Sequence, residues 1–312
     1  MLSPLPNRPM TSILFRLRLA ALLVLLPQMQ GFAGPLAEAP EGERVESTRF
    51  AKAVEGLKET EKALYLYERV ERVEDRKSMK DGKPFQVRVS RVFPAGTGIA
   101  HIQLGQDAAP TDTVKYRADV ENLLNALTWA TQSGKQQREA YEKVAKKQKE
   151  RSDLIDQTRL AFIFSYLGEE KRGDGKLLKF QMDPNPTYKP TSRGASIFTK
   201  VKGVIWLDEA SGQMARIEGD VTDDISFGIF LGKIYKGSHF MQERYEFAPG
   251  VWLPTFSQYD FDARKLFSQI SIHQKTYASG YRRVGPPADA IPLVKAELER
   301  LVSASDRKTG AS

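Results

Sequence analysis

The stretch AFIFSYLGEEKRGDGKLLKFQM, residues 161–182, decides the fold. Its flanks, Ala161–Glu169 and Leu177–Met182, are rich in aromatic and aliphatic residues and enclose Gly173-Asp174-Gly175. Glycine and aspartate tolerate the positive φ that a tight hairpin turn demands, so the stretch reads as two antiparallel strands. Alternate side chains of a strand share a face. Phe162, Phe164 and Tyr166 therefore line one side of the first strand, and Leu178, Phe180 and Met182 one side of the second.

The same pattern recurs on either side. Ala63–Val73 and Phe85–Phe93 flank Asp81-Gly82, Val204–Asp208 and Met214–Val221 flank Ala210-Ser211-Gly212, and Phe240–Phe247 and Trp252–Tyr259 flank Pro249-Gly250. A last strand, Lys265–Tyr277, follows a turn near Asp262. Consecutive hairpins specify an antiparallel meander, because parallel neighbours need a crossover of about a dozen residues or more.

One helical block interrupts the strands. Val120, Leu123, Leu124 and Leu127 recur at i, i+3, i+4 and i+7 on a helix that begins near Asp112 and is closed by Gly134. A second helix, about Lys135–Asp153, has a thin apolar stripe at Tyr141 and Val144, with seven basic and three acidic residues between Lys135 and Arg151. Glu139–Lys143 and Glu142–Lys146 are i, i+4 pairs in the favourable order, so this helix reads as solvated, with a basic face that also suits anionic headgroups or an acidic partner. The layout is α+β: one curved antiparallel sheet with helices gathered on one face.

The N-terminus reads as a cleavable export signal. Arg8, Arg16 and Arg18 precede the apolar run Leu19–Leu26, and Gly31 and Ala33 supply a small-x-small cleavage site. The apolar run is shorter than the roughly 20 residues of a membrane span, and a start at Met10 still yields a complete signal. The expected organisation is a signal peptide over 1–33, a flexible leader over 34–48, a single domain over 49–284 with a helical insertion at about 112–155, and a C-terminal tail over 285–312 with a short helix at Ile291–Val302.

The chain of 312 residues carries 47 basic and 39 acidic side chains, a formal net charge of +8, which falls to +5 once the three basic residues of the signal are removed. That balance argues against a nucleic-acid partner. No cysteine is present, which excludes disulfides, thiolate chemistry and the acylation site of a bacterial lipoprotein. A soluble monomer in the periplasm is expected.

No constellation specifies catalysis, a metal or a cofactor. His101, His239 and His273 are scattered and form no ligand pair, and the sequence has no nucleophile elbow, zinc-binding helix, phosphate-binding loop or dinucleotide fingerprint. The acid pairs Asp208/Glu209, Asp223/Asp224 and Asp260/Asp262 sit at strand ends and turns, where solvation explains them. Two such carboxylates serve glycoside hydrolysis only if they face each other across a cleft.

Several segments resemble a group of uncharacterised secreted bacterial proteins: residues 162–188, Gly203–Asp208 followed by Gln213–Ile217, Phe227-Gly228, Gly232–Gly237 and Val251–Pro254. That group is placed with the periplasmic lipoprotein carriers and their relatives, the LolA-like superfamily, and the resemblance runs from about Ala63 to Tyr281. It implies an open, strongly curved half-barrel whose helices cover a hydrophobic concave face. It also implies a non-catalytic carrier of lipid, lipoprotein acyl chains or another apolar ligand, with docking to a membrane surface or envelope protein. An envelope-stress sensor or scaffolding module on the same fold is the alternative. A hydrolase of envelope material acting through an acid pair is the third reading, since fold alone does not decide function. Strand alternation nominates Phe162, Phe164, Phe180, Met182, Ile205, Trp206, Ile217, Phe240 and Phe256 as the cavity lining. Ile205 and Trp206, being adjacent, point to opposite faces, so the middle of their strand is apolar on both sides.

Overall fold

The computed structural model describes residues 41–309 apart from 79, 81, 193, 227–231 and 266–267. The segment read as an export signal, Asp81 of the first expected turn and the Phe227-Gly228 match lie outside the described residues.

Among the described residues, twelve strands form one antiparallel sheet. In chain order they are β1 (Tyr67–Arg76), β2 (Gln86–Pro94), β3 (Ile99–Leu104), β4 (Phe162–Arg172), β5 (Gly175–Pro184), β6 (Val201–Asp208), β7 (Met214–Val221), β8 (Ile225–Ser226), β9 (Lys233–Ile234), β10 (His239–Ala248), β11 (Val251–Lys265) and β12 (Ser268–Arg283). The order across the sheet is β3-β2-β1-β12-β11-β10-β7-β6-β5-β4, with the short β8–β9 pair attached to β11. In the β4–β5 hairpin, Gly173 turns the chain at φ +60°, a conformation that disfavours any side chain. The class is α+β, and the sheet is open, with β3 and β4 as its edges.

Four helices complete the description: α1 (Glu41–Ala63), α2 (Thr113–Ala130), α3 (Lys135–Ala161) and α4 (Pro287–Thr309), with a 3₁₀ turn at Ala195–Lys200. The chain leaves the β3 edge, forms α2 and α3, and re-enters the sheet at the β4 edge, so the helical insertion links the two open sides. Asp112 caps α2 by accepting from the amides of Val114 and Lys115, and Val120, Leu123 and Leu127 are buried as their spacing requires.

Four boundaries differ from the sequence expectation. Helix α1 begins at Glu41, within the segment read as leader, and takes in Ala63, read as the start of the first strand. Helix α3 continues past Asp153 to Ala161, because Leu154 and Ile155 give its second half buried apolar residues, where its first half buries only Gln137. Strands β11 and β12 are longer than read: β11 runs on to Lys265, read as the opening of the last strand, and β12 spans Ser268–Arg283. The tail is a 23-residue helix packed into the body, where Ala290 and Val294 join Phe93, Ile102, Leu123 and Leu127 in one apolar cluster. Arg91 on β2 fastens it there, donating to Glu68 at 2.8 Å and to the two carboxylate oxygens of Glu297 at 2.8 and 2.9 Å.

Candidate functional site

Helix α1 lies on one face of the sheet. Phe50, Ala53, Val54 and Leu57 follow the i, i+3, i+4, i+7 rule, and Phe50 and Ala53 cluster with Leu178, Phe180, Ile205, Leu207 and Met214. Between helix and sheet is a cavity of about 100 Å³ with an almost wholly apolar lining. Side chains from α1, from Thr158 and Arg159 of α3, from the 3₁₀ turn and from β4, β5, β6, β7 and β10 surround it. Strands β4 and β10 are four intervals apart, about 19 Å on a flat sheet. Both contribute to this one small cavity, so the sheet bends round it.

Six of the nine nominated residues line the cavity: Phe162, Phe164, Met182, Ile205, Ile217 and Phe240. Gly219 makes room for Phe240, because a Cβ there would collide with its ring. The other three lie elsewhere. Phe180 is buried on the same face but packs edge-on to Phe50 at 5.0 Å and against Tyr166 at 5.5 Å, outside the lining. Trp206 occupies the opposite face with Leu177, Ala215 and Trp252, and donates its indole N–H to Glu170 at 2.8 Å. Adjacent residues of a strand cannot share a face, and Ile205 holds the inner position. Phe256 is out of phase with the core residues Tyr259 and Phe261 and packs against Tyr277 at 5.1 Å, on the face away from the helices. Strand alternation alone misses Phe50, Ala53, Val54 and Leu57 of α1, and Ile197 and Phe198 of the 3₁₀ turn.

Helix α3 braces α1. Lys58 donates to Asp156 at 2.8 Å, and Arg151 pairs with Glu61. Hydrogen bonds to Asp156 and Glu55 raise the pKa of Lys58 above its ordinary value. On the sheet side, Thr60 of α1 donates to the Trp252 carbonyl at 2.7 Å.

The same inner face becomes polar along β10. Phe240, Gln242 and Arg244 alternate onto it, and register places Gln242 opposite Ser257 and Ser257 opposite Thr276. Arg244 is only 2% exposed, and its Nε has no hydrogen-bond partner; Gln242 Oε1 and Thr276 Oγ1 are likewise buried without one. Desolvation pushes the Arg244 guanidinium down to about 10, against the attraction of Glu61, Tyr259 and Tyr281. Arg69 donates to Glu71 at 2.8 Å and is also lowered by burial, against attraction from Tyr281 and Glu61.

Most of the paired acids, with His239 and His273, have local partners. Asp208 accepts from the amide and hydroxyl of Ser211 in the β6–β7 turn. Asp223 and Asp224 are held below the ordinary carboxylate range by hydrogen bonds from Lys200 and Lys233 respectively, the opposite of the shift a general acid needs. Asp260 meets His273 Nδ1 at 2.5 Å, Asp262 accepts from Ser271 at 2.6 Å, and His239 Nδ1 meets Asp220 at 2.9 Å. Among the described residues, no three metal-ligating side chains gather.

No protein-family model matches the chain, and no curated protein does. Two solved structures are similar to it. One, from Vibrio parahaemolyticus, is described as an outer membrane lipoprotein-sorting protein domain; it is 13% identical, with 75% of this chain and 93% of that chain covered and a TM-score of 0.28. The other is described as a LolA superfamily protein from Nitrosomonas europaea; it is 8% identical, with 76% and 92% covered and a TM-score of 0.25.

Proposed function

We propose that this chain is a non-catalytic carrier or binding protein for an apolar ligand, a lipid or the acyl chains of a lipoprotein. It works as a monomer in the periplasm, after export directed by residues 1–33. The observation that carries this reading is the apolar cavity roofed by α1, lined by aromatic and aliphatic side chains from five strands of a curved sheet. Closed, it is smaller than the roughly 300–1,000 Å³ of most ligand sites. Phe50, Ala53, Val54 and Leu57 border the space that a chain would take, so loading displaces α1. Each methylene removed from water contributes about 0.8 kcal/mol, so a chain of about 15 supplies at most ~12 kcal/mol towards that displacement. Among the described residues, no helix is long and apolar enough to cross a membrane.

The test is native mass spectrometry of protein taken from the periplasm without detergent. A defined adduct that extracts as lipid is expected, retained in Trp206→Phe on the opposite face and lost in folded Phe164→Asp. A bare mass that stays bare with added hexadecanol, palmitate and acylated peptide overturns the reading.

One observation favours the scaffolding alternative. Edge strand β4 exposes Ile163, Tyr166 and Leu167, each about half accessible, beside backbone that no other described strand pairs. Envelope proteins crosslinked through a photoreactive group at position 167, with no lipid bound, would favour that role.

A further inference from the structure

We infer that the ligand is an amphiphile with an anionic headgroup, its carboxylate or phosphate seated at Arg244 and its chain in the apolar cavity, which presumes that the cavity is the ligand site. Buried polar atoms are nearly always hydrogen-bonded, and each exception calls for a cause. Here three exceptions, Gln242 Oε1, Thr276 Oγ1 and Arg244 Nε, fall on the same face of neighbouring strands. The last belongs to a guanidinium that, among the described residues, no carboxylate meets at ion-pair distance. An uncompensated buried charge is among the costliest features a fold retains.

The surrounding charges call for an anion. Of the carboxylates on this side of the sheet, Glu61 is engaged by Arg151, and Glu71 accepts from Arg69. With those pairs balanced, Arg244 leaves an excess of positive charge at the polar end. Guanidinium pairs with carboxylate and phosphate in a bidentate fork, and both are anions that a lipid headgroup supplies.

The geometry matches an amphiphile. Arg244 lies four residues from the cavity-lining Phe240 on one face of β10, about 13 Å along the strand. Helix α1 runs with the same polarity: Phe50, Ala53, Val54 and Leu57 border the cavity, whereas Glu61 acts on Arg244. The acyl chains of a lipoprotein carry no anion of their own and would leave Arg244 unpaired, which selects acidic lipids as the ligand class.

The experiment compares three probes of equal chain length on delipidated mature protein by calorimetry: palmitate, 1-palmitoyl lysophosphatidate and hexadecanol. At least one anion is expected to bind tenfold or more tightly than the alcohol, and the stronger anion separates a carboxylate from a phosphate headgroup. In Arg244→Met, confirmed folded by its melting curve, that advantage falls below threefold, and Arg244→Lys recovers part of it. Lys147→Met, on the exposed basic face of α3, keeps the full advantage. Equal binding of all three probes, or an advantage that survives in Arg244→Met, overturns the inference and leaves the apolar site standing. If Arg244→Met fails to fold, Arg244→Lys and Gln242→Leu carry the comparison, and an unaltered advantage in both overturns the inference. Binding of none of the three overturns the apolar site and this inference together.

Discussion

The ring of Phe50 on α1 stacks on the ring of Phe164 on β4, with centroids 3.8 Å apart and planes inclined by 18°. This contact ties the helix to an edge strand of the sheet, and both rings border the cavity. Phe50→Ala removes the stack together with the edge contact to Phe180. A loss on the order of 3 kcal/mol is expected from burial and cavity terms. Chemical denaturation reads that loss, and stopped-flow exchange of bound hexadecanol should become faster as the roof loosens. A variant with unchanged stability and exchange would show that the stack does not hold α1.

The hairpins are legible because each combines turn residues with a two-residue apolar period, and that period also places six cavity residues. It does not choose a face. Val204–Asp208 is apolar on both sides, and only the packed sheet reveals that Ile205 faces α1 while Trp206 faces Trp252. Phe256 goes astray for the same reason: it pairs with Glu243, which pairs with Arg216 opposite Trp206, so register puts it on the face of Trp206, away from α1. Helix α1 has a usable signal in Phe50, Ala53, Val54 and Leu57, but the acidic, proline-bearing segment before it reads as a leader. Arg244 has none, since an arginine in an alternating strand reads as solvated until another element covers it.

Arg244→Met should stabilise the ligand-free protein. A guanidinium held at about 10, well below its ordinary value, marks a destabilisation of the charged form on the order of 3 kcal/mol. Replacing it with an apolar side chain of similar length removes that cost. Part of the gain is offset by repacking, so a rise of roughly 2–8 °C in melting temperature is expected for a domain of this size. The wild-type cost persists at every pH below about 10 and fades as the pH rises through that value, so the difference between the two proteins should be flat from about pH 6 to 9. A fall in melting temperature would mean that the guanidinium has a compensating partner.

Glu74 should contribute to acid sensitivity. Desolvation pushes its carboxyl up, but hydrogen bonds from Arg76 and Arg72 outweigh it and hold the pKa below the ordinary 4.5. A depressed folded pKa means that the stabilisation is complete above the unfolded value and disappears as the pH falls through the folded one. Glu74→Gln is therefore expected to cost roughly 2 kcal/mol at about pH 7, the scale of a hydrogen bond to a charged group. The gap to wild type should begin to close below about pH 4.5 and shrink further as the pH falls through the lowered pKa. Urea titrations across that range test it, and a gap independent of pH would assign the loss to packing.

The C-terminal helix should be indispensable. Glu297 accepts from Arg91 through both oxygens and from the Tyr116 hydroxyl at 2.7 Å, joining α4 to β2 and α2 at one largely buried point. Desolvation lowers the pKa of Arg91, yet Glu68 and Glu297 together raise it, so the guanidinium depends on both carboxylates. Glu297→Gln leaves it with one, at an expected cost of about 3 kcal/mol. Glu299→Gln, exposed on the same helix, should cost less than ~0.5 kcal/mol. Removing residues 285–312 would also uncover the apolar cluster around Phe93 and Leu127, and the truncated protein should aggregate or melt far below the full chain. A truncated protein that kept the melting curve of the full chain would show that α4 is an appendage and that β2, β3 and α2 stand without it.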